Sequence, residues 1–308
     1  MVAISIIATS YSMERLNDIR DLLDSISRQI RKNFELVYIT EGEWHLYNVV
    51  KAEVDRTSLN AQVVHNEGRP GLAEARNLGA SVANGDILGF VDDDVILDSK
   101  WSAVVEDAFK VFGNVVGTTG PAYPLWVGTP AEWLPSEYDW LIGCTRWFNS
   151  GEITEIRNCW GMNMTFLHSS FEKVGGFLVE TGYHRGEMAE DVDISLRVRN
   201  MTGGKLLYLP NMVVKSKVYP YRLSDRFVIE RSSWIGHSRR AVGHGDQPQG
   251  TRGPERVLLV SLVRLLLTGS VFKDAKTLTD MALLLRLITL STASLVLGYL
   301  IGPLATEP

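Results

Sequence analysis

The chain has 308 residues, of which 45% are hydrophobic and 22% are charged, and its formal net charge at pH 7 is −5. That length is enough for one large domain or two small ones with a substantial core. The mildly acidic balance disfavours a nucleic-acid-binding protein, which usually presents a basic face, so we expect no nucleic-acid partner.

Strands and helices are predicted to alternate over the first hundred residues. The segment "VAISIIAT" has no basic region before it, which favours a first strand over a signal peptide. Further strands are predicted at "FELVYIT", "AQVVHN" and "DILGFV", with helices at 14–31, at 45–56 and at "GLAEARNLGASVA". This spacing is typical of an α/β fold with a mostly parallel central sheet and helices on both faces.

The second half of the chain has a less regular pattern. Residues 121–160 are rich in Trp, Pro and Gly, which predicts a long connection or a small subdomain. The apolar pattern at 190–200 fits a helix or a strand, "KLLYLPNMVVKSKV" predicts one strand, and a helix is predicted at 224–242. Cys144 and Cys159 have no metal-site spacing and fit a reducing compartment or a single disulfide.

Three consecutive carboxylates follow the fourth predicted strand, in "FVDDDV". Ligands of parallel sheets bind beyond the carboxyl ends of the strands, so a site is expected here. In an extended backbone Asp92 and Asp94 share a face and can converge on one ligand. Hard oxygen ligands of this kind suit Mg²⁺ or Mn²⁺, whose charge would offset the repulsion among the carboxylates. The alternative is a solvated turn.

Two other segments carry candidate functional residues. The turn at 68–71 opens a predicted helix whose first N–H groups favour an anion. On that helix Arg76 either meets the phosphates of a nucleotide or is a surface residue that pairs with a nearby carboxylate. Glu190 and Asp191 begin the segment "EDVDISLRVRN", where they either cap a helix or include a general base.

The C-terminal segment Leu287–Thr306 contains no charged residue. About 20 helical residues span roughly 30 Å, which is the thickness of a bilayer core. The segment therefore predicts insertion into a membrane, and the alternative is a buried core helix. The pattern at 255–269 predicts a helix that lies on lipid. Positive charges precede the uncharged segment, which favours a cytoplasmic main domain.

Seven short motifs follow one another along residues 3–242: "TSYS", "FELVYITEG", "GLAEARNLG", "FVDDDV", "NCWGMNMTF", "FEKVGGF" and "AEDVDISLRVR". In this order, they resemble the motifs of the inverting family 2 glycosyltransferases of the GT-A fold. The tryptophan-rich "EWLPSEYDWLIGCT" is similar to archaeal-type enzymes that extend dolichyl-phosphate-linked sugars, such as the glucosyl-dolichyl-phosphate glucuronosyltransferases.

The resemblance implies a role for each matching residue. Asp191 would remove the proton from the acceptor hydroxyl, while Asp94, with Asp92, would bind a metal that bridges the diphosphate. The nucleotide sugar would be bound by Thr9, Tyr11, Glu41, Arg76, Asp92 and Asp93, with Glu41 at the nucleobase. The donor-sugar and acceptor pocket would be formed by Trp160, Gly161, Asn163, Glu190, Arg231 and Trp234.

Two positions depart from the family pattern. Ser216 stands before Lys217 where relatives carry a His, so the metal would be held less tightly or Lys217 would replace part of its charge. Thr40 replaces the first acid of the usual pair, which leaves Glu41 as the remaining base contact.

The predicted function is a metal-dependent inverting glycosyltransferase with a nucleotide-sugar donor, expected to be UDP-linked, and a lipid-linked sugar acceptor. The alternatives are a polyprenyl-phosphate monosaccharide synthase and a catalytically silent nucleotide-sugar-binding module. The expected domains are a GT-A domain at 1–243, split near residue 100 into a nucleotide-sugar half and an acceptor half, and membrane-associated helices at 244–308. The expected location is the cell membrane, with the catalytic domain on the cytoplasmic side and in contact with lipid.

Overall fold

The structure is a computed structural model, and it describes residues 3–148, 151–179, 190–242, 269, 272–302 and 304, with the backbone alone at 239–242. The lipid-facing helix predicted at 255–269 lies outside these residues except for Gly269.

The chain divides into two compact units. The first comprises Met1–Pro121, Ser150–Arg185 and Glu190–Lys215. The second comprises Ala122–Asn149, Gly186–Ala189 and Ser216–Pro308. The domain boundary expected after residue 243 stays a prediction.

An eight-stranded sheet forms the centre of the first unit, and its strand order is β3-β2-β1-β4-β9-β6-β10-β8. The strands are β1 (Ile4–Ser10), β2 (Phe34–Thr40), β3 (Ala61–His65), β4 (Ile87–Asp92), β6 (Val115–Thr119), β8 (Thr154–Ile156), β9 (Asn163–Leu167) and β10 (Lys205–Tyr208). A short strand, β5 (Val95–Leu97), follows β4 and is not part of this sheet. The first four strands in the order are parallel, as predicted. β9 is antiparallel to both of its neighbours, so the sheet is mixed. Ile6, Leu36 and Phe90 are fully buried, as expected for strands covered on both faces.

The helices of the first unit are α1 (Leu16–Ser27), α2 (Trp44–Asp55), α3 (Leu72–Val82), α4 (Trp101–Val111), α5 (His168–Lys173) and α6 (Glu190–Thr202). α3 packs very closely on the sheet, because a Cβ added at Gly79 would lie 2.5 Å from Ile7 Cγ2. Ala75 and Arg76 lie one turn earlier on the same helix, and both are buried. This close packing therefore fixes the helix that carries Arg76.

The second unit contains β7 (Ala122–Trp126), a 3-10 helix at Ser136–Ile142, α7 (Asp225–Val242) and α8 (Leu278–Ile301). Its apolar core includes Leu141, Val228, Leu284 and Leu287. The two long helices approach to backbone contact, since a Cβ added at Gly298 would lie 2.0 Å from the carbonyl oxygen of Ser233.

α8 is exposed on the side away from α7. Within the described residues it is the one helix long and apolar enough to cross a membrane, and 28% of its most apolar 18-residue stretch is buried. Leu285, Val296 and Leu300 are among its exposed apolar residues. α8 is thus neither a fully buried core helix nor confined to the uncharged segment, because it begins at Leu278 and includes Asp280 and Arg286.

Several predicted elements have different bounds in the structure. The single strand predicted at 205–218 is wrong, because the chain turns between β10 and a short strand β11 (Val214–Val218). The turn is closed by the Met212 N–H, which donates to the Leu209 carbonyl. The helix predicted at 14–31 is shorter, since α1 ends at Ser27, and the ambiguous segment at 190–200 is helical.

Candidate functional site

Three neighbouring parallel strands of the first unit end side by side. Thr9 of β1 is in register with Ile39 of β2 and with Asp92 of β4. Glu41 directly follows β2. The polar residues at these carboxyl ends therefore lie at one edge of the sheet, where ligands of parallel sheets bind.

Each of the three consecutive aspartates has a different partner. Asp92, at the end of β4, accepts a hydrogen bond from Arg76 Nη2 at 3.0 Å. Asp93 accepts from Ser10 Oγ at 2.6 Å. Asp94 accepts from Arg15 Nη1 at 3.2 Å. The chain thus separates the three like charges by directing the side chains to different elements. The expectation that an extended backbone makes Asp92 and Asp94 converge is wrong for this structure, because β4 ends at Asp92 and Asp94 lies in the turn that follows.

Asp93 is enclosed in the sheet edge. Ser10, which donates to it, also hydrogen-bonds the hydroxyl of the buried Tyr38 at 2.7 Å. Burial raises the pKa of Asp93 to about 7, because the low-dielectric surroundings disfavour the charged carboxylate more than the Ser10 hydrogen bond favours it. In the absence of a ligand this carboxyl is therefore readily protonated.

Asp94 is almost completely buried and faces a cation. The Arg15 guanidinium lies between Asp94 and Asp18, 3.2 Å and 3.4 Å from their Oδ2 atoms. Two carboxylates that converge on one cation are a donor set that suits Mg²⁺ or Mn²⁺. In the described part of the chain no cluster of three or more acidic, His or Cys side chains could hold a metal. Substrate oxygens would have to complete the coordination.

Arg76 is the central residue of the site. Its guanidinium is almost fully buried and donates to Asp92, to Glu190 at 3.1 Å and to the Gly161 carbonyl at 3.1 Å. It also lies over the ring of Phe177, 5.6 Å from the centroid. The alternative that Arg76 is a surface residue is therefore wrong, because its side chain is only 3% exposed. It joins the end of β4 to the start of α6.

Asp191 lies in the first turn of α6, where the helix dipole favours a carboxylate. Its Oδ2 accepts from the Gly161 N–H at 2.9 Å, and its Oδ1 accepts from the Val192 N–H. Burial raises the pKa of the adjacent Glu190, and the Asp191 carboxylate adds to this rise while Arg76 opposes it. The capping and the general-base hypotheses are compatible with this geometry.

A cleft of about 440 Å³ opens beyond β2 and β3, lined by Gly42, Trp44, His65, Asn66, Glu67, Gly68 and Pro70. The ring centroids of Trp44 and His65 lie 4.2 Å apart with the ring planes tilted by 34°, and Trp44 is half exposed. Thr40, in place of an acid, hydrogen-bonds His65 Nδ1 at 3.1 Å. An aromatic wall of this kind suits a planar ligand such as a nucleobase.

Glu41 lies beside this cleft and hydrogen-bonds the loop that lines it. Its Oε1 accepts from Asn66 Nδ2 at 2.9 Å and from the Gly71 N–H at 2.8 Å. One carboxylate oxygen thus fixes the loop before α3. A contact of Glu41 with a nucleobase would therefore use its Oε2 atom, and this contact stays a prediction.

The remaining predicted residues of the first unit occupy different environments. Thr9 is half-buried and Tyr11 is exposed. Trp160 is buried edge-on against Tyr208, at 5.8 Å. Asn163 is fully buried, where it accepts from Trp101 Nε1 and donates to the Met212 carbonyl. The placement of Trp160 and Asn163 in the sugar pocket stays a prediction.

The predicted residues of the second unit lie on α7 and β11. Arg231 is half-buried and donates to the Trp140 carbonyl at 3.1 Å. Trp234 packs edge-on against His237. Ser216 and Lys217 are both buried in β11. The placement of Arg231 and Trp234 in the donor-sugar and acceptor pocket stays a prediction.

Comparison with known sequences decides the family. Residues 5–175 match the family described as "Glycosyl transferase family 2", which is more than half of the chain. The chain belongs to glycosyl transferase family 2. The predicted family and enzyme class are confirmed, and the protein is a glycosyltransferase with a GT-A-like fold.

A curated relative is similar in sequence, and two solved structures share the fold. The chain is 28% identical over 243 residues to a glucosyl-dolichyl phosphate glucuronosyltransferase of Haloferax volcanii, covering 78% of this chain and 77% of the relative. A mannosyltransferase of Pyrobaculum calidifontis, solved with GDP-Man and Mn²⁺, superposes with a TM-score of 0.62 at 18% identity, over 98% of this chain and 87% of its own. GalNAc-T7, solved with UDP, GalNAc and Mn²⁺, superposes with a TM-score of 0.55 at 16% identity, over 87% of this chain and 58% of its own.

Sequence reasoning missed four residues near the strand ends: Arg15, Asp18, Trp44 and His65. Arg15 and Asp18 follow the "TSYS" motif, and Asp18 lies one turn before Leu22 on the apolar face of α1. A carboxylate in an apolar stripe was the available signal. Trp44 and His65 lie just after one strand and at the end of another, which also marks that edge of the sheet.

Proposed function

We propose that this glycosyltransferase transfers a sugar from a UDP-linked donor to a lipid-linked sugar acceptor, with inversion and with a divalent metal. The observation that carries the proposal is the guanidinium of Arg76, which joins Asp92 to Glu190 at the edge of the sheet. The buried Arg76 thereby links Asp92, which would contact the donor, to Glu190 and its neighbour Asp191, which would activate the acceptor.

The proposed reaction is a single displacement. Asp191 takes the proton of the acceptor hydroxyl, and the acceptor oxygen bonds to the anomeric carbon as the bond from that carbon to the diphosphate breaks. Attack from the face opposite the leaving group inverts the anomeric centre. A bound Mg²⁺ or Mn²⁺ would neutralise charge on the departing nucleoside diphosphate. Asp94 and Asp92 would hold that ion, and Arg76 would orient Asp92 and Glu190.

The donor nucleobase is proposed to occupy the cleft beside Glu41. Trp44 offers a half-exposed aromatic face there. Because Oε1 of Glu41 already accepts from Asn66 and Gly71, Oε2 is the oxygen proposed to accept a hydrogen bond from the base. The ring N–H of uracil can donate to this oxygen, which is compatible with the proposed UDP-linked donor.

The lipid-linked acceptor is proposed from the relative and from α8. The Haloferax volcanii relative is named for action on glucosyl-dolichyl phosphate. α8 exposes apolar residues that suit membrane lipid. Lys273, Lys276 and Arg286 precede its uncharged segment, which supports a cytoplasmic catalytic unit. Arg231 and Trp234 are proposed to contact the lipid phosphate.

The test is a panel of UDP- and GDP-sugars incubated with purified protein, Mn²⁺ and either a polyprenyl-phosphate-linked sugar or the polyprenyl phosphate alone. We expect nucleoside diphosphate release that requires the sugar-bearing lipid and a UDP-sugar. Release with polyprenyl phosphate alone, unchanged in Asp191→Asn, would instead indicate a polyprenyl-phosphate monosaccharide synthase, because a phosphate nucleophile needs no general base. No release under any condition would indicate a silent binding module.

A further inference from the structure

The Arg15 guanidinium occupies the position of a cation at Asp94. Its Nη1 atom is 3.2 Å from Asp94 Oδ2 and 3.4 Å from Asp18 Oδ2. The exposed fractions of the side chains are 6% for Asp94 and 1% for Asp18. A buried carboxylate requires a nearby positive charge or a proton, and here a guanidinium supplies the charge.

Local structure fixes Arg15 in this position. Ser12 caps a 3-10 helix at Met13–Arg15, and its side chain accepts from the Glu14 N–H. That helix continues directly into α1, so Asp18 follows Arg15 by one turn on the same face. The turn after β4 brings Asp94 to the same guanidinium from 79 residues away.

We infer that Arg15 competes with the divalent metal for Asp94, so that the nucleotide-free protein binds the metal weakly. The inference rests on the proposed function, because that function places the metal at Asp94. A divalent ion placed beside the guanidinium would experience like-charge repulsion in a poorly solvated site. The metal therefore has to displace Arg15 from Asp94 before it can bind there.

The negative charge of a nucleoside diphosphate changes this balance. Its phosphates can accept the displaced guanidinium and also coordinate the metal, so both cations gain a partner when the nucleotide is present. Metal and nucleotide then bind with positive coupling, and the coupling is reciprocal. Because of Arg15, the metal binds tightly only when the nucleotide of the donor is also bound.

The experiment measures Mn²⁺ affinity by titration with and without UDP, in wild type, Arg15→Gln, Arg15→Lys and a control, Arg20→Gln. Arg20 lies on α1, is half exposed and pairs with Glu53, so its loss removes one nearby positive charge without touching Asp94. We expect Arg15→Gln to bind Mn²⁺ alone at least about tenfold more tightly than wild type. Arg15→Lys and Arg20→Gln should stay within about threefold of wild type.

A second readout is thermal stability. Without metal, Arg15→Gln leaves Asp18 and Asp94 without the guanidinium they share, so its Tm in EDTA should fall. Saturating Mn²⁺ should then raise its Tm by more than it raises that of wild type. This measurement needs neither a donor sugar nor turnover.

Three results would overturn the inference. Equal or weaker Mn²⁺ affinity in folded Arg15→Gln would show that Arg15 orients Asp94 for the metal instead of competing with it. If Arg15→Gln does not fold, the test falls on wild type alone. In that case, a Mn²⁺ affinity that is the same with and without UDP would also overturn the inference. If no Mn²⁺ binds to any of the proteins even with UDP or GDP, the metal dependence in the proposed function fails as well.

Discussion

At the scale of single residues, the site is organised by how it distributes negative charge. Asp92, Asp93 and Asp94 are adjacent in sequence, yet they bind Arg76, Ser10 and Arg15 respectively. Two of the three carboxylates are paired with guanidinium groups, and the third is buried next to a hydroxyl. A metal is therefore not needed to give Asp94 a cationic partner, because Arg15 already provides one.

The protonation of Asp93 predicts a pH dependence of stability. Its pKa is about 7 in the folded protein and 3.8 as an ordinary aspartate, so the folded state retains a proton between these values that the unfolded state loses. In EDTA, the free energy of unfolding should fall as the pH rises from about 4 to 7, by at most about 4 kcal/mol from this group.

The variant Asp93→Asn isolates this effect. It should be more stable than wild type at pH 8 and close to wild type at pH 4, because the amide cannot ionise. Chemical denaturation of both proteins in EDTA at several pH values measures the difference. A difference that does not change with pH would show that Asp93 does not titrate in this range.

Sequence motifs singled out Asp92, Arg76 and Asp191 as candidates because these residues lie within short segments that resemble family motifs and whose order is readable along the chain. They did not identify the pairing of Asp94 with Arg15, because that contact joins residues 79 positions apart. The ring contact of Trp44 with His65 was missed for the same reason. Such contacts depend on how the elements pack, which periodicity does not specify.

At the scale of elements, the first turn of α6 places Asp191. The helix dipole and the N–H groups of Gly161 and Val192 stabilise its carboxylate form. We predict that Asp191→Asn keeps donor and metal affinity but lowers kcat by about 10²–10⁴-fold, the usual effect of losing a general base. Steady-state kinetics with UDP binding measured in parallel tests this. An equal loss of UDP affinity would point to a structural role.

The packing of α7 on α8 depends on glycine. A Cβ added at Gly298 would lie 2.0 Å from the Ser233 carbonyl oxygen and 2.6 Å from its Cα, so the helices would have to separate. We predict that Gly298→Ala destabilises the second unit by about 1–3 kcal/mol, as overpacking usually does.

Gly113→Ala is the matched control for this prediction, because nothing lies within 4 Å of a Cβ added there. Thermal unfolding of the two variants beside wild type, in the same detergent or buffer, measures the effect. Equal Tm values for Gly298→Ala and wild type would mean that the two helices do not pack as closely as described.

Periodicity predicted most of the elements but not all of their ends. The parallel strands and the helices between them agree with the structure, because their apolar patterns are set by burial on the sheet. The single strand predicted at 205–218 is wrong because Pro210 and Asn211 interrupt the apolar run at 206–214. The tail prediction began too late, since Thr277 and Asp280 form a capping box at the start of α8.

At the scale of the whole molecule, the exposed face of α8 predicts membrane association. The double variant Val296→Glu/Leu300→Glu places two charges on exposed positions of this helix. It should lower binding to phospholipid vesicles by at least about tenfold, because charges are costly in a bilayer. Truncation of α8 is a poorer test, since Leu284 and Leu287 belong to the core of the second unit.

Val111→Glu/Phe112→Glu is the control for vesicle binding, because it adds the same charges to exposed apolar positions of the first unit. It should bind vesicles as wild type does. Equal binding of all three proteins in a sedimentation assay, or no binding by any of them, would mean that α8 does not contact lipid.

The central claim is that this protein transfers a sugar with inversion, using a metal and Asp191. The most direct measurement is the NMR anomeric configuration of the product made from an α-linked UDP-sugar and a polyprenyl-phosphate-linked sugar. We predict a β-linked product that forms with Mn²⁺ or Mg²⁺ and does not form in EDTA. With Asp191→Asn, the yield should fall to about 1% of the wild-type yield or less. An α-linked product, or a yield unchanged by EDTA or by Asp191→Asn, would contradict the account.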